Sequence, residues 1–148
     1  MGIEQDIHQQ NFRNEFQKAA INLIYTFNWM NEKNRVIFEA ENITPQQFNI
    51  LRILRGAKVP ISTLQIRQRM LDKMSDTSRI VDRLVAKELV KKNTCIKDKR
   101  LVDVCITEKG RKLLERIDLR QDEMDAVLNN LTEAEAKTLN KLLDKIRV

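Results

Sequence analysis

The chain is poor in the residues on which most enzymatic and structural-metal chemistry depends. It carries one histidine, His8, and two cysteines, Cys95 and Cys105, among 148 residues. No cluster of His, Cys and carboxylates has metal-ligand spacing, so no metal ligand set is expected. With three glycines in all, there is no Gly-rich loop to cradle a phosphate or dinucleotide. Catalysis has no candidate constellation, so the chain is read as a non-enzyme without a cofactor. Two cysteines cannot form a disulfide framework, which points to a reducing, cytoplasmic setting. No apolar run approaches the roughly 20 residues of a membrane span. The start, Met1 to Gln10, is too polar for a signal peptide. With only two prolines, little interrupts long helices.

What is present is a globular balance, 42% hydrophobic and 32% charged, enough for one domain with helical extensions. The net charge of +6 is unevenly spread. Residues 1–61 hold seven Lys/Arg against six Asp/Glu, residues 62–112 hold fourteen against seven, and residues 113–148 hold six against eight. The whole excess sits in the middle third, as expected of a polyanion reader flanked by segments with another task. A solvated basic face is the alternative that charge alone leaves open.

Apolar periodicity supplies the frame. Phe12, Phe16, Ala19, Leu23, Phe27 and Met30 recur at steps of three and four, predicting one long helix over about 5–40. Thr44-Pro45 starts a shorter helix that stops at Gly56. Ser62 or Thr63 caps a third, with Leu64, Ile66 and Met70 inward. Leu71 to Met74 forms a turn, and Ser75 caps a helix to about Lys87. That helix has Thr77, Ile80, Val81, Leu84 and Val85 on one side and Ser75, Asp76, Arg79, Asp82, Arg83 and Ala86 on the other. From Val90 the period changes to two, predicting a β-hairpin with Asp98-Lys99-Arg100 at its tip. Thr107 caps a helix running on to Met124 and Leu128, and Thr132-Glu135 is the capping box of the last. Two short helices joined by a tight turn and followed by a basic hairpin are the winged helix-turn-helix plan.

Asp98-Lys99-Arg100-Leu101-Val102-Asp103-Val104-Cys105-Ile106-Thr107-Glu108-Lys109-Gly110 resembles the wing signature of the multiple-antibiotic-resistance regulator (MarR) family at every fixed position. That signature is D-x-R-x-x-x-V-x-[LI]-T-x-x-G. Upstream, Ser75 to Leu84 is similar to that family's recognition helix in register. The resemblance covers nearly the whole chain. It implies a mainly α fold with a small β-hairpin wing, between N- and C-terminal helices that form a dimer interface. Three departures stand out: Glu88 where the family usually has Gly, Lys92 for a common Arg, and Arg67 for a frequent Ala. At Glu88 a left-handed helix cap is either shifted or strained.

The expected division is residues 1–40 and 113–148 for dimerisation and 41–112 for DNA. Candidate DNA-binding residues are Ser62, Thr63, Ser75, Asp76, Ser78, Arg79, Arg83, Lys97, Asp98, Lys99 and Arg100. Arg79 can reach a guanine edge or a phosphate, and Arg83 the backbone. Asp76 either accepts from a cytosine amino group or complements the helix dipole. Arg100, planar and permanently charged, suits the electronegative minor groove, with Asp98 to orient it. Asp82 is read as the partner of a neighbouring arginine. The helix start at Ser62 and Thr63 suits a phosphate.

Relatives also respond to small aromatic ligands, which the resemblance places between the dimer helices and the DNA-binding lobe. Tyr25, Phe27, Trp29 and Met30 form either such a pocket or a plain core or interface stripe. Cys95 and Cys105, placed nearly opposite each other on the hairpin, are either a redox pair or two small strand residues. The expected partners are double-stranded DNA, a second copy of the chain and a small aromatic effector, with no membrane. The function expected is repression at a pseudo-palindromic operator. The alternative is a helical dimer whose basic hairpin docks an acidic protein.

Overall fold

The computed structural model describes residues 2–94 and 102–148. The chain divides into two compact units, one of Met1–Val36 with Glu123–Val148, the other of Ile37–Asp122. The fold is mainly helical with one small antiparallel sheet, as the periodicities require.

The second unit holds α3 (Pro45–Ala57), β1 (Ile61–Ser62), α4 (Thr63–Arg69), α5 (Thr77–Ala86), β2 (Val90–Thr94), β3 (Val102–Ile106) and α6 (Glu108–Asp118). Its core is apolar and closed: Ile50, Leu51, Ile66, Val81, Leu84, Val90, Val104, Leu114 and Ile117 are almost wholly buried. Fully burying aliphatic side chains of this kind is worth about 1.5–3 kcal/mol each. The strand order is β1-β3-β2. β2 pairs with β3 from Val90 opposite Ile106 to Thr94 opposite Val102, and the two-residue β1 adds Ile61 opposite Val104. Val104 and Ile106 therefore face the core. Phe38 and Phe48 pack with ring centres 4.8 Å apart and planes tilted by 41°, holding the end of α2 (Glu15–Ala40) against α3.

The first unit contains α1 (Ile3–Asp6), most of α2, α7 (Gln121–Asp125) from Glu123, a 3₁₀ turn (Ala126–Leu128) and α8 (Glu133–Ile146). It buries little. Phe16 is 86% and Phe27 62% exposed on α2, and Leu142 and Ile146 are exposed on α8.

Several expected boundaries move. The first helix is two: His8 takes φ 53°, and α2 restarts where the Asn14 carboxamide accepts the Gln17 N–H at 2.8 Å. Asn14 is a helix start that a wheel of apolar residues passes over. α3 runs one residue beyond Gly56, and the left-handed residue is Lys58, at φ 62°. Leu64 is exposed, because it lies about 200° around the helix from the buried Ile66. α6 ends at Asp118 and does not continue to Leu128. Asp118 is held by Arg55 of α3 at 2.7 and 3.2 Å, and beyond it Leu119 is largely exposed, so little packing sustains the helix. The capping boxes at Thr44 and Thr132 form as expected, and Thr107 caps α6.

Candidate nucleic-acid interface

α4 begins with Ser62. Its hydroxyl accepts the Gln65 N–H at 3.1 Å, and the Gln65 carboxamide accepts the Ser62 N–H at 2.9 Å. The Ser62 hydroxyl proton is still available to a phosphate oxygen. Thr63 is half-buried in the first turn.

The turn to α5 is ordered by polar side chains. The Asn49 carboxamide of α3 accepts the Leu71 N–H at 2.9 Å. The Asp72 carboxylate accepts the Met74 N–H at 3.0 Å and, from the side chains, the Ser75 hydroxyl and Gln46. These bonds, the Ser75 one foremost, hold the Asp72 carboxyl below its ordinary value. Lys73 donates to the carbonyls of Arg67 and Gln68, at the C-terminal end of α4. Ser75 is therefore not the cap of the recognition helix. Asp76 is: its carboxylate accepts the Arg79 N–H at 3.2 Å and stands 3.8 Å from the Arg79 guanidinium. Asp76 thus sits at the positive end of the helix dipole as its cap, with its side chain exposed. Asp76, Ser78, Arg79 and Arg83 are all exposed on α5, while Thr77, Val81 and Leu84 are buried.

Asp82 pairs with Lys92 of β2 and not with an arginine. The register explains the reach: Lys92 lies opposite Val104, so both share the face turned to the helices. Lys92 thus ties the recognition helix to the wing. Lys91, not Cys95, stands opposite Cys105, so the expected cross-strand cysteine pair is not the observed register. Cys95 and the wing-tip candidates Lys97, Asp98, Lys99 and Arg100 lie outside the described residues.

The joint between helix and wing is the most constrained part of the site. Glu88 adopts φ 61°. Its N–H donates to Val85 at 2.9 Å, and the Leu89 N–H donates to Leu84 at 3.0 Å, the bond pair of a Schellman cap. The family's Gly is replaced, yet the cap is unshifted. The Glu88 carbonyl then accepts the Thr107 hydroxyl at 2.7 Å, and that same oxygen of Thr107 accepts the Gly110 N–H at 3.1 Å. A Cβ at Gly110 would stand 2.3 Å from the Leu89 carbonyl oxygen, closer than any side chain tolerates. The Thr and Gly of the wing signature therefore lock α6 against the end of α5. Lys87 adds a second lock, donating to the Asn42 carbonyl at 2.5 Å and the buried Gln47 carboxamide at 3.0 Å. Sequence reasoning missed Asn49, Asp72, Lys73 and Lys87. Only Asp72 had a local signal, an Asp two residues before the N–H it accepts.

Tyr25, Phe27 and Trp29 are exposed on α2 and Met30 is half-buried. Tyr25 and Trp29 are one turn apart, whereas Phe27 and Met30 share a different side.

A helix-turn-helix joined to a three-stranded wing defines a DNA-binding transcription regulator, a non-enzymatic class. No protein-family model and no curated protein matches the sequence, and the likeness is to solved structures. A cysteine-to-serine mutant of MarR from E. coli, complexed with operator DNA, matches with a TM-score of 0.79 at 26% identity over 93% of this chain and 99% of that one. Wild-type MarR from E. coli in its apo form matches at 31% identity and TM-score 0.60, over 84% of this chain and 93% of that one. BpsR from Bordetella bronchiseptica, whose DNA binding is regulated by 6-hydroxynicotinic acid, shares the fold at 21% identity and TM-score 0.74, over 88% of this chain and 99% of that one. The chain belongs to the MarR family of winged-helix transcription regulators. No helix among the described residues is long and apolar enough to cross a membrane.

Proposed function

We propose that the chain acts in the cytoplasm as a homodimeric repressor on a pseudo-palindromic operator. The observation that carries this reading is the exposed face of α5, with Ser78, Arg79 and Arg83, tied through the Glu88 cap and the Asp82–Lys92 pair to the strands β2 and β3, within the segment of the sequence that holds the positive excess. The N-terminal end of α5 enters the major groove, while Ser62 and Thr63 meet a phosphate. Lys97, Asp98, Lys99 and Arg100 serve the adjacent minor groove. Residues 41–112 read DNA, and residues 1–40 and 113–148 dimerise through the apolar side chains that α2 and α8 leave exposed. A two-fold dimer presents two recognition helices about one DNA turn, roughly 34 Å, apart. A small aromatic effector at Tyr25, Phe27, Trp29 or Met30 relieves repression by favouring a dimer with wrongly spaced reading heads.

Fluorescence anisotropy against DNA from upstream of its own gene and a scrambled duplex, at several salt concentrations, tests this. The expected result is a preference of about 10³ or more, with one dimer per site and a steep salt slope. Arg100→Ala should weaken operator binding at least about tenfold with the dimer intact, the loss of one charged groove contact. Equal, weak binding to both duplexes would favour an acidic protein as the partner of the hairpin.

A further inference from the structure

The α4–α5 turn carries two large apolar side chains that nothing in the fold uses: Leu71 is 87% exposed and Met74 93%. Around them the backbone is held with unusual care. The Leu71 N–H is taken by Asn49 and the Met74 N–H by Asp72, and Ser75 and Gln46 bond the same carboxylate. An ordered turn that displays apolar groups to water keeps its conformation without gaining burial, which fits a surface meant to meet something.

Charge says what it meets. From Ser62 to Arg83 the exposed cations are Arg67, Arg69, Lys73, Arg79 and Arg83. All three acids of this stretch are engaged internally: Asp72 in the turn, Asp76 at the cap, and Asp82 with Lys92. The outward field is positive, so a polyanion fits. Size argues against a protein, because two side chains offer a few hundred Å² at most, far below the roughly 1,200 Å² of a stable interface. On duplex DNA the apolar group within reach of a protein at the major groove is the C5-methyl of thymine.

We propose that Leu71 and Met74 are specificity-determining residues that contact thymine methyl groups in the operator. The inference rests on the operator-binding reading above. It predicts thymine at defined places in each half-site, outside the bases read by Arg79.

The test uses the full-length protein. Preferred duplexes are selected from a random pool, and each thymine is replaced singly by deoxyuridine, which removes the methyl and keeps every hydrogen bond. In the wild type, methyl removal at one or more thymines per half-site should weaken binding about three- to fivefold, as expected for one buried methyl. In Leu71→Ala/Met74→Ala the same replacement should change affinity by less than about 1.5-fold, since the Cβ methyl that remains is too short to reach and bury the thymine methyl. Both side chains are exposed, so the variant should keep the wild-type melting temperature. Selective binding in which the wild type ignores every methyl, or the variant stays equally sensitive, overturns the proposal and leaves the operator reading standing. Failure of the wild type to select any duplex overturns both.

Discussion

At Glu88 and Gly110 the backbone makes demands that side-chain chemistry does not advertise. Glu88 sits at φ 61°, where a non-glycine residue costs about 1–2 kcal/mol. A glycine would remove that cost while losing about 0.5–1 kcal/mol to the greater freedom of the unfolded chain. Glu88→Gly should therefore raise stability by about 0.5–1 kcal/mol in urea unfolding, with operator affinity unchanged because the cap is already formed. At Gly110 the sign reverses. A methyl group 2.3 Å from the Leu89 carbonyl oxygen and 2.8 Å from Ile106 must push backbone aside. Gly110→Ala should cost at least about 2 kcal/mol. It should also weaken operator binding, since the displaced carbonyl belongs to the joint between recognition helix and wing. Gly110 closes the wing signature and Glu88 stands where the family usually has Gly, so the importance of both positions was legible from resemblance. The sense of each effect was not, because φ and the approach of Leu89 depend on how α5 and α6 meet.

For the elements, the polar turn matters more than any one helix. Asp72 organises it, and its carboxyl titrates below the usual aspartate value of 3.8 because Ser75, Met74 and Gln46 all bond the charged form. A depressed native value means that the ionised group stabilises the fold at pH above the unfolded value. That contribution falls as pH drops through the native value. Asp72→Asn should thus melt below the wild type at neutral pH, and the gap should close only in strong acid, below about pH 4. Circular-dichroism melts of both proteins from pH 3 to 7 check this, and a gap independent of pH would remove the charge from the account. The longer helices α2 to α6 and α8 were readable from apolar spacing and caps, whereas the short α1 and α7 were absorbed into their neighbours. The break before α2 and the end of α6 were not, because Asn14 competes locally for the backbone and Asp118 is held by a residue of α3 far away in sequence.

For the whole molecule, the contrast lies between one well-buried unit and another that leaves apolar side chains bare. The reading that a second copy covers them makes a direct prediction. Phe16→Glu with Leu142→Glu should shift sedimentation from dimer to monomer and weaken operator binding by more than about tenfold, because two linked half-sites are no longer held together. The spectrum of the folded helices should persist, since both positions are exposed within the chain. Dimers of undiminished stability in that variant would place the interface elsewhere.

The sequence by itself determined the class of fold, the order of elements, the basic centre and the polar face of the recognition helix. Each of these follows from short-range spacing of apolar, capping and charged residues. Only the tertiary structure decided that Asp76 and not Ser75 caps α5, that Lys92 is the partner of Asp82, and that Lys91 faces Cys105. It alone showed Leu71 and Met74 standing bare on a turn braced from α3. For the last three the physical reason is shared: cross-strand register, side-chain reach and solvent exposure depend on neighbours distant in the chain, and local periodicity does not encode them. The cap is a local bond, but Ser75 and Asp76 are both good capping residues, and the choice fell to Asp76 once Ser75 was drawn to Asp72 in the braced turn.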